Sequence, residues 1–140
     1  MTASRREAAD RIHSAAIHLL RRVAREDVRS GVSPARLSAL SVLVFGGPKT
    51  VTELAEAERV RVPTMSRLVS AMVEERLVRR RAHESDGRAV RLEATARGRR
   101  AIDRARVHRL GLLAELLATA DEREVAIVRE SAAIIERVVR

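Results

Sequence analysis

Residues 50–98 read TVTELAEAERVRVPTMSRLVSAMVEERLVRRRAHESDGRAVRLEATARG, and this stretch decides the fold. It opens on two helical patterns: TELAEAE, starting at Thr52–Glu53, and a longer one from near Arg61-Val62-Pro63 to about Glu75. In the second, Met65, Leu68, Val69 and Met72 recur at the three- and four-residue spacing of one buried helix face. Pro63, Ser66, Arg67 and Ser70 then fall on the outward side. Two β-type runs follow, Leu77 to Ala82 and Ala89 to Glu93, and Asp86-Gly87 between them is a hairpin turn signal. The order is helix, turn, helix, hairpin.

That order is how a winged helix-turn-helix is written, a fold that lays one helix in a DNA major groove with the hairpin beside it. Outward from it, Ser33-Pro34 starts a helix with serine as N-cap and proline at the first helical position. Leu37, Leu40, Val44 and Phe45 are expected on one side of that helix, which Gly46-Gly47-Pro48 ends. Lys49-Thr50-Val51 reads as short and extended. Upstream, residues 3–29 carry Ile12, Ala16, Leu19 and Val23 at helical spacing, with Gly31 as a stop. Downstream, Thr95 begins a helix through Leu117 with Ile102, Leu110, Leu113 and Leu117 on one face. Asp121 caps a last helix ending near Val139, striped by Val125, Val128, Ala132, Ile135 and Val139.

The expected architecture is mostly α with a small β wing: one domain over 1–140, a DNA-binding lobe over 33–95, and dimerisation helices over 3–29 and 95–139. One chain offers the long outer helices little to pack on, so a second copy is the economical partner. Ile12, Leu19, Leu113, Leu117, Val128, Ile135 and Val139 are the residues expected at that interface.

The chain has 140 residues, enough for one core. Phe45 is its single aromatic, so the core is aliphatic. Formal net charge is +9, which asks for a polyanion or an anionic surface as partner. Lys49 is the only lysine. Arginine suits phosphate and guanine because its planar fork donates two parallel hydrogen bonds. With no cysteine, thiol chemistry and Cys-type zinc sites are excluded. The N-terminus is charged and lacks an apolar h-region, and no apolar run approaches a membrane span, so a cytoplasmic location and no membrane partner are expected.

The segments LAEAERVRVPTMSRLVSAMVEERLVRR (54–80) and DGRAVRLEAT (86–95), with Gly98, resemble the MarR family of bacterial winged-helix regulators. The resemblance extends over essentially the whole chain. It implies that PT-x-SRLV from Pro63 opens the recognition helix and that the second segment is the wing. It further implies that Asp86 braces the wing while Arg88 enters a minor groove. A crevice between dimer helices and DNA-binding lobe is also implied, able to take a small aromatic or phenolic acid effector. Here Ile12, His13, Ala16, Leu40, Val44, Phe45 and Ile102 would line it, with Arg11 or His13 pairing a carboxylate. The sequence departs from the family where it has Glu58 for a frequent Leu, Arg59 for Gly and Arg61 for a Ser N-cap. An arginine at the cap position loses a side-chain cap and sets a cation at the helix N-terminus, which suits a bound phosphate.

For reading DNA, Arg61, Pro63, Thr64, Ser66, Arg67 and Ser70 are the recognition-helix candidates. Arg67 is foremost, since arginine grips guanine O6 and N7 together. The wing offers Arg79, Arg80, Arg81, His83, Asp86, Arg88 and Arg91, and strand alternation turns only some of Arg79 to Arg81 toward DNA. Arginine at the tip is favoured by the negative potential of a narrow minor groove. Other chemistries fare poorly. GGPKT (46–50) lacks the Gly-Lys spacing of a phosphate loop. His83, Ser85 and Asp86 are neighbours in one hairpin, not a convergent triad. His13 and His18 do not share a helix face, and no cofactor, metal or enzyme activity is expected. The expected function is a homodimeric, sequence-specific regulator of double-stranded DNA. Most directly it is a repressor on a pseudo-palindromic operator, released by a small molecule. The alternatives are an architectural, nucleoid-type DNA binder and a winged-helix module for protein contacts alone.

Overall fold

The computed structural model describes residues 3–29, 31–82 and 89–139. Its elements in order are α1 (Ala3–Arg29), α2 (Pro34–Gly46), α3 (Val51–Ala57), α4 (Val62–Glu74), β1 (Val78–Ala82), β2 (Val90–Ala94), α5 (Ala96–Leu117) and α6 (Glu122–Val139). The fold is thus mostly helical with a small antiparallel hairpin, as the sequence implied. The turn expected at Asp86-Gly87 lies outside the described residues.

Caps fix most of the boundaries. Ser33 and Thr95 hold α2 and α5 through their side-chain oxygens. At the start of α6 the Glu124 amide donates to Asp121 Oδ1 (2.8 Å) and the Asp121 amide to Glu124 Oε2 (3.0 Å). α3 starts earlier than expected, because the cap is Thr50 and not Thr52. Thr50 Oγ1 accepts from the Glu53 amide and Glu53 Oε2 accepts from the Thr50 amide, closing a capping box. Lys49 alone is strand-like, bridging to Leu92.

The core lies beneath the hairpin, where α2, α3, α4, β1, β2 and the start of α5 meet. Leu37, Leu40, Leu43, Leu54, Met65, Val69, Met72 and Leu92 are sealed there. Two expectations for helix faces are corrected. Phe45 is 78% exposed, and Leu43 takes the core position on α2 instead. Two residues after Leu43, Phe45 has turned about 200° around the helix. On α5 the inward line is Gly98, Ala101, Ile102 and Ala105, and Leu110 is exposed.

α5 is fastened to the hairpin at its first turn. Thr95 Oγ1 donates toward the carbonyls of Arg76 (2.6 Å) and Leu77 (3.1 Å), and the Thr95 amide donates to Leu77 at 3.0 Å. Farther along, α1 is tied to α5 by a two-point bond. Arg109 Nε and Nη2 each lie 2.8 Å from a carboxylate oxygen of buried Asp27. Asp27 holds the guanidinium pKa above its ordinary value.

Arg59, in the turn between α3 and α4, has φ of 55°. Glycine fits this conformation without the Cβ clash that an L side chain meets there. Arg59→Gly is therefore expected to raise stability by about 0.5–1 kcal/mol, once glycine's extra unfolded-state freedom is set against the relieved clash. A thermal melt shifted upward by a few degrees would register it.

Candidate nucleic-acid interface

α4 presents two faces of opposite character. Met65, Val69 and Met72 anchor it in the core, and Pro63, Thr64 and Arg67 stand exposed on its other side. Ser66 and Ser70 are half-buried. Among the described residues, no hydrogen bond or ion pair engages Arg67 or Thr64. Arg61 occupies the N-cap position and makes no side-chain cap, so the first amides of α4 keep unused donors. An arginine fork, a hydroxyl and free amides on one rigid helix can bind phosphate oxygens and base edges together. Sequence reasoning missed the groove beside them: about 370 Å³, with an apolar wall of Ala35, Val60, Leu68 and Ala71 next to Thr64 and Arg67.

The hairpin separates the three consecutive arginines. Val78↔Ala94, Arg80↔Leu92 and Ala82↔Val90 pair on the inner sheet face, and Arg79↔Glu93 and Arg81↔Arg91 pair on the outer one. Arg80 reaches α4, with Nη2 at 3.4 Å from Ser70 Oγ. Arg79 and Arg81 both bind Glu93, at 2.7 and 3.3 Å. Of the wing candidates, Arg80 thus sits beside α4 and Arg81 on the far face. His83, Asp86 and Arg88 lie outside the described residues. Glu93, the residue that sorts these arginines, carried no sequence signal beyond its place in β2.

Hydrogen bonds from Arg79 and then Arg81 hold the Glu93 carboxyl below the usual carboxylate range. The Thr50 amide, and then the Arg91 charge, does the same for Glu53. A carboxylate whose folded pKa is depressed stabilises the fold above its unfolded pKa, and that contribution is lost as pH falls through the folded value. Thermal stability is therefore expected to hold from neutrality down to the usual carboxylate range and to fall below it. In Glu53→Gln/Glu93→Gln the fall should be shallower, which melting curves across acid pH would record.

The residues expected to line an effector crevice are spread between core and surface of one chain. Leu40 and Ile102 are sealed in the core, Val44 is half-buried, and Ile12, His13, Ala16 and Phe45 are exposed. A cleft of about 670 Å³ lies between α1 and α5, lined by others, among them Arg22, Arg25, Val107, His108 and Leu112. The dimerisation candidates Ile12, Leu19, Val128 and Val139 are exposed, while Leu113, Leu117 and Ile135 are half-buried. α6 has no buried residue. Ile127, Ile134 and Val138 add a second exposed apolar line on it, which the single expected stripe did not include. No helix among the described residues is long and apolar enough to cross a membrane.

Residues 30–89 match the model of the family described as MarR family. An HTH-type transcriptional regulator of Mycobacterium tuberculosis is 36% identical over 118 residues, covering 84% of this chain and 82% of that protein. A MarR family protein from Bacillus stearothermophilus has the same fold, with a TM-score of 0.80 at 23% identity over 99% of this chain and 98% of that one. A point mutant of Staphylococcus aureus MepR, whose structure is bound to an oligodeoxyribonucleotide, matches with a TM-score of 0.73 at 13% identity, covering 95% of this chain and 98% of that one.

Proposed function

The chain belongs to the MarR family of HTH-type transcriptional regulators, and from that premise we propose that it is a homodimeric repressor reading a pseudo-palindromic operator. The observation that carries the reading is α4: one face locked by Met65, Val69 and Met72, the other offering unengaged Thr64 and Arg67. Arg67 reads a guanine edge. Arg61, Thr64 and Ser66 take phosphates or neighbouring base edges, Pro63 packs on a thymine methyl, and Ser70 with Arg80 braces the wing against the helix. Arg88, outside the described residues, takes the flanking minor groove, as the family resemblance implies. The unburied apolar surface of α6, together with exposed Ile12 and Leu19 on α1, supports pairing with a second copy. Two recognition helices held at a fixed spacing read two half-sites about one helical turn apart.

Release by a small molecule is part of this proposal. A small molecule lowers DNA affinity by binding better to the lobe spacing that does not fit successive grooves.

The test is selection of bound sequences from random DNA, then competition at fixed salt. The selected inverted repeat should be preferred over scrambled DNA by ~10³ or more. Arg67→Ala should weaken binding to that repeat by ~1–3 kcal/mol and relax the preference at one base pair per half-site. Equal affinity for scrambled DNA would favour the architectural alternative, and no DNA binding would favour the protein-contact one.

A further inference from the structure

The outer face of the wing sheet carries more positive charge than its own partners use. Arg79 and Arg81 share the single carboxylate of Glu93. Arg91 spans from the Pro48 carbonyl (3.2 Å) to Glu53 (3.6 Å) on the same face. Arg99, from the first turns of α5, lines a groove of about 430 Å³ together with Arg79, Arg81, Pro48 and Thr95. Four arginines thus face two carboxylates. Among the described residues no bond engages Arg99, and α5 has no acidic residue in its first turn. Such a cluster is unfavourable in isolation, since like charges and an electropositive helix end stand together.

Its position says what it suits. α4 packs against the inner sheet face, through Arg80 and Ser70. A duplex bound along α4 and extending past the hairpin would meet this outer face. Exposed ion pairs such as Arg79–Glu93 are weak. A phosphate oxygen can take the place of the carboxylate on the same arginine fork.

Resting on the DNA-binding reading above, we propose that the outer wing face, Arg79, Arg81 and Arg99 around the Pro48–Thr95 groove, is a second DNA contact that grips the phosphate backbone flanking the operator without reading sequence. Its occupant is duplex DNA outside the two half-sites. The operator this protein occupies is then longer than the stretch it reads.

The experiment compares two duplexes carrying the selected operator. One ends at the outer edges of the half-sites, and the other is extended by about ten base pairs, one helical turn, of arbitrary sequence on each side. A scrambled operator of the longer length gives the non-specific background. The wild type should bind the longer operator about tenfold more tightly at low salt, with a log–log salt slope steeper by about 2–4, at roughly 0.9 per phosphate neutralised. Arg99→Ala should bind the short operator as the wild type does and lose most of the gain from the flanks. Equal wild-type affinity for both lengths, or a variant that keeps the full gain, would overturn the proposal. If the longer operator were no better than its scramble, the regulator reading itself would fail and take this one with it. Binding to the short duplex doubles as the control that the variant is folded.

Discussion

Gly98→Ala should cost about 3 kcal/mol of stability, a fall of roughly 10 °C in Tm for a chain of this size. The reason is distance, not backbone conformation. A Cβ at residue 98 would run into the carbonyl oxygen of Leu77 and lie 3.1 Å from Leu40 Cδ2. The methyl of Leu40 can shift, but the Leu77 carbonyl cannot, since it already accepts from the Thr95 amide and hydroxyl. To make room, α5 must back away from the hairpin, and the Thr95 cap on the Gly98 amide goes with it. The wing then loses its anchor, so operator affinity should fall along with Tm. A Gly98→Ala protein that melts within a degree of the wild type would mean that α5 does not approach β1 this closely.

Val128→Glu/Ile135→Glu should leave the lobe folded and abolish pairing. These residues lie seven apart on α6, on one side of a helix that buries none of its own residues. Each aliphatic side chain withdrawn from water at an interface contributes about 1.5–3 kcal/mol, and a buried carboxylate reverses that sign. Glutamate is a good helix former, so α6 itself should persist. Losing the second half-site turns two linked binding events into one, and operator affinity should drop by ~10²–10⁴. Sedimentation would show a single chain with unchanged helical circular dichroism. A variant that still sediments as the wild type does would place the subunit contact elsewhere on the chain.

These two cases mark what the sequence could disclose. The α4 stripe was legible because polar Ser66, Arg67 and Ser70 interrupt the apolar residues Met65, Leu68, Val69 and Met72 at helical spacing, so the period has a clear phase. Asp121 was legible as a cap from its local sequence, and Thr95 as the start of α5, one residue before the helix that it caps. The α3 start was missed although Thr50 and Glu53 have capping-box spacing, because Thr52 next to Glu53 offered a competing start. Phe45 was misplaced because Val42, Leu43, Val44 and Phe45 form an unbroken apolar run, and such a run fixes no face. The collision waiting at Gly98 and the Asp27–Arg109 bond, 82 residues apart in sequence, have no local signature at all. The same holds for the site. Arg67 could be assigned to the outward face from periodicity alone. That Arg79 and Arg81 share one sheet face and Arg80 takes the other follows from strand alternation; that Glu93 is the partner of both depends on register, and only the paired strands disclose it.

The most direct test of the whole account is the composition of the complex on its own selected DNA. Sedimentation equilibrium with the recovered duplex should give two chains per duplex on an inverted repeat, and no stable complex on one half-site alone at the same concentration. One chain per duplex, or equal binding to the half-site and the full repeat, would contradict it.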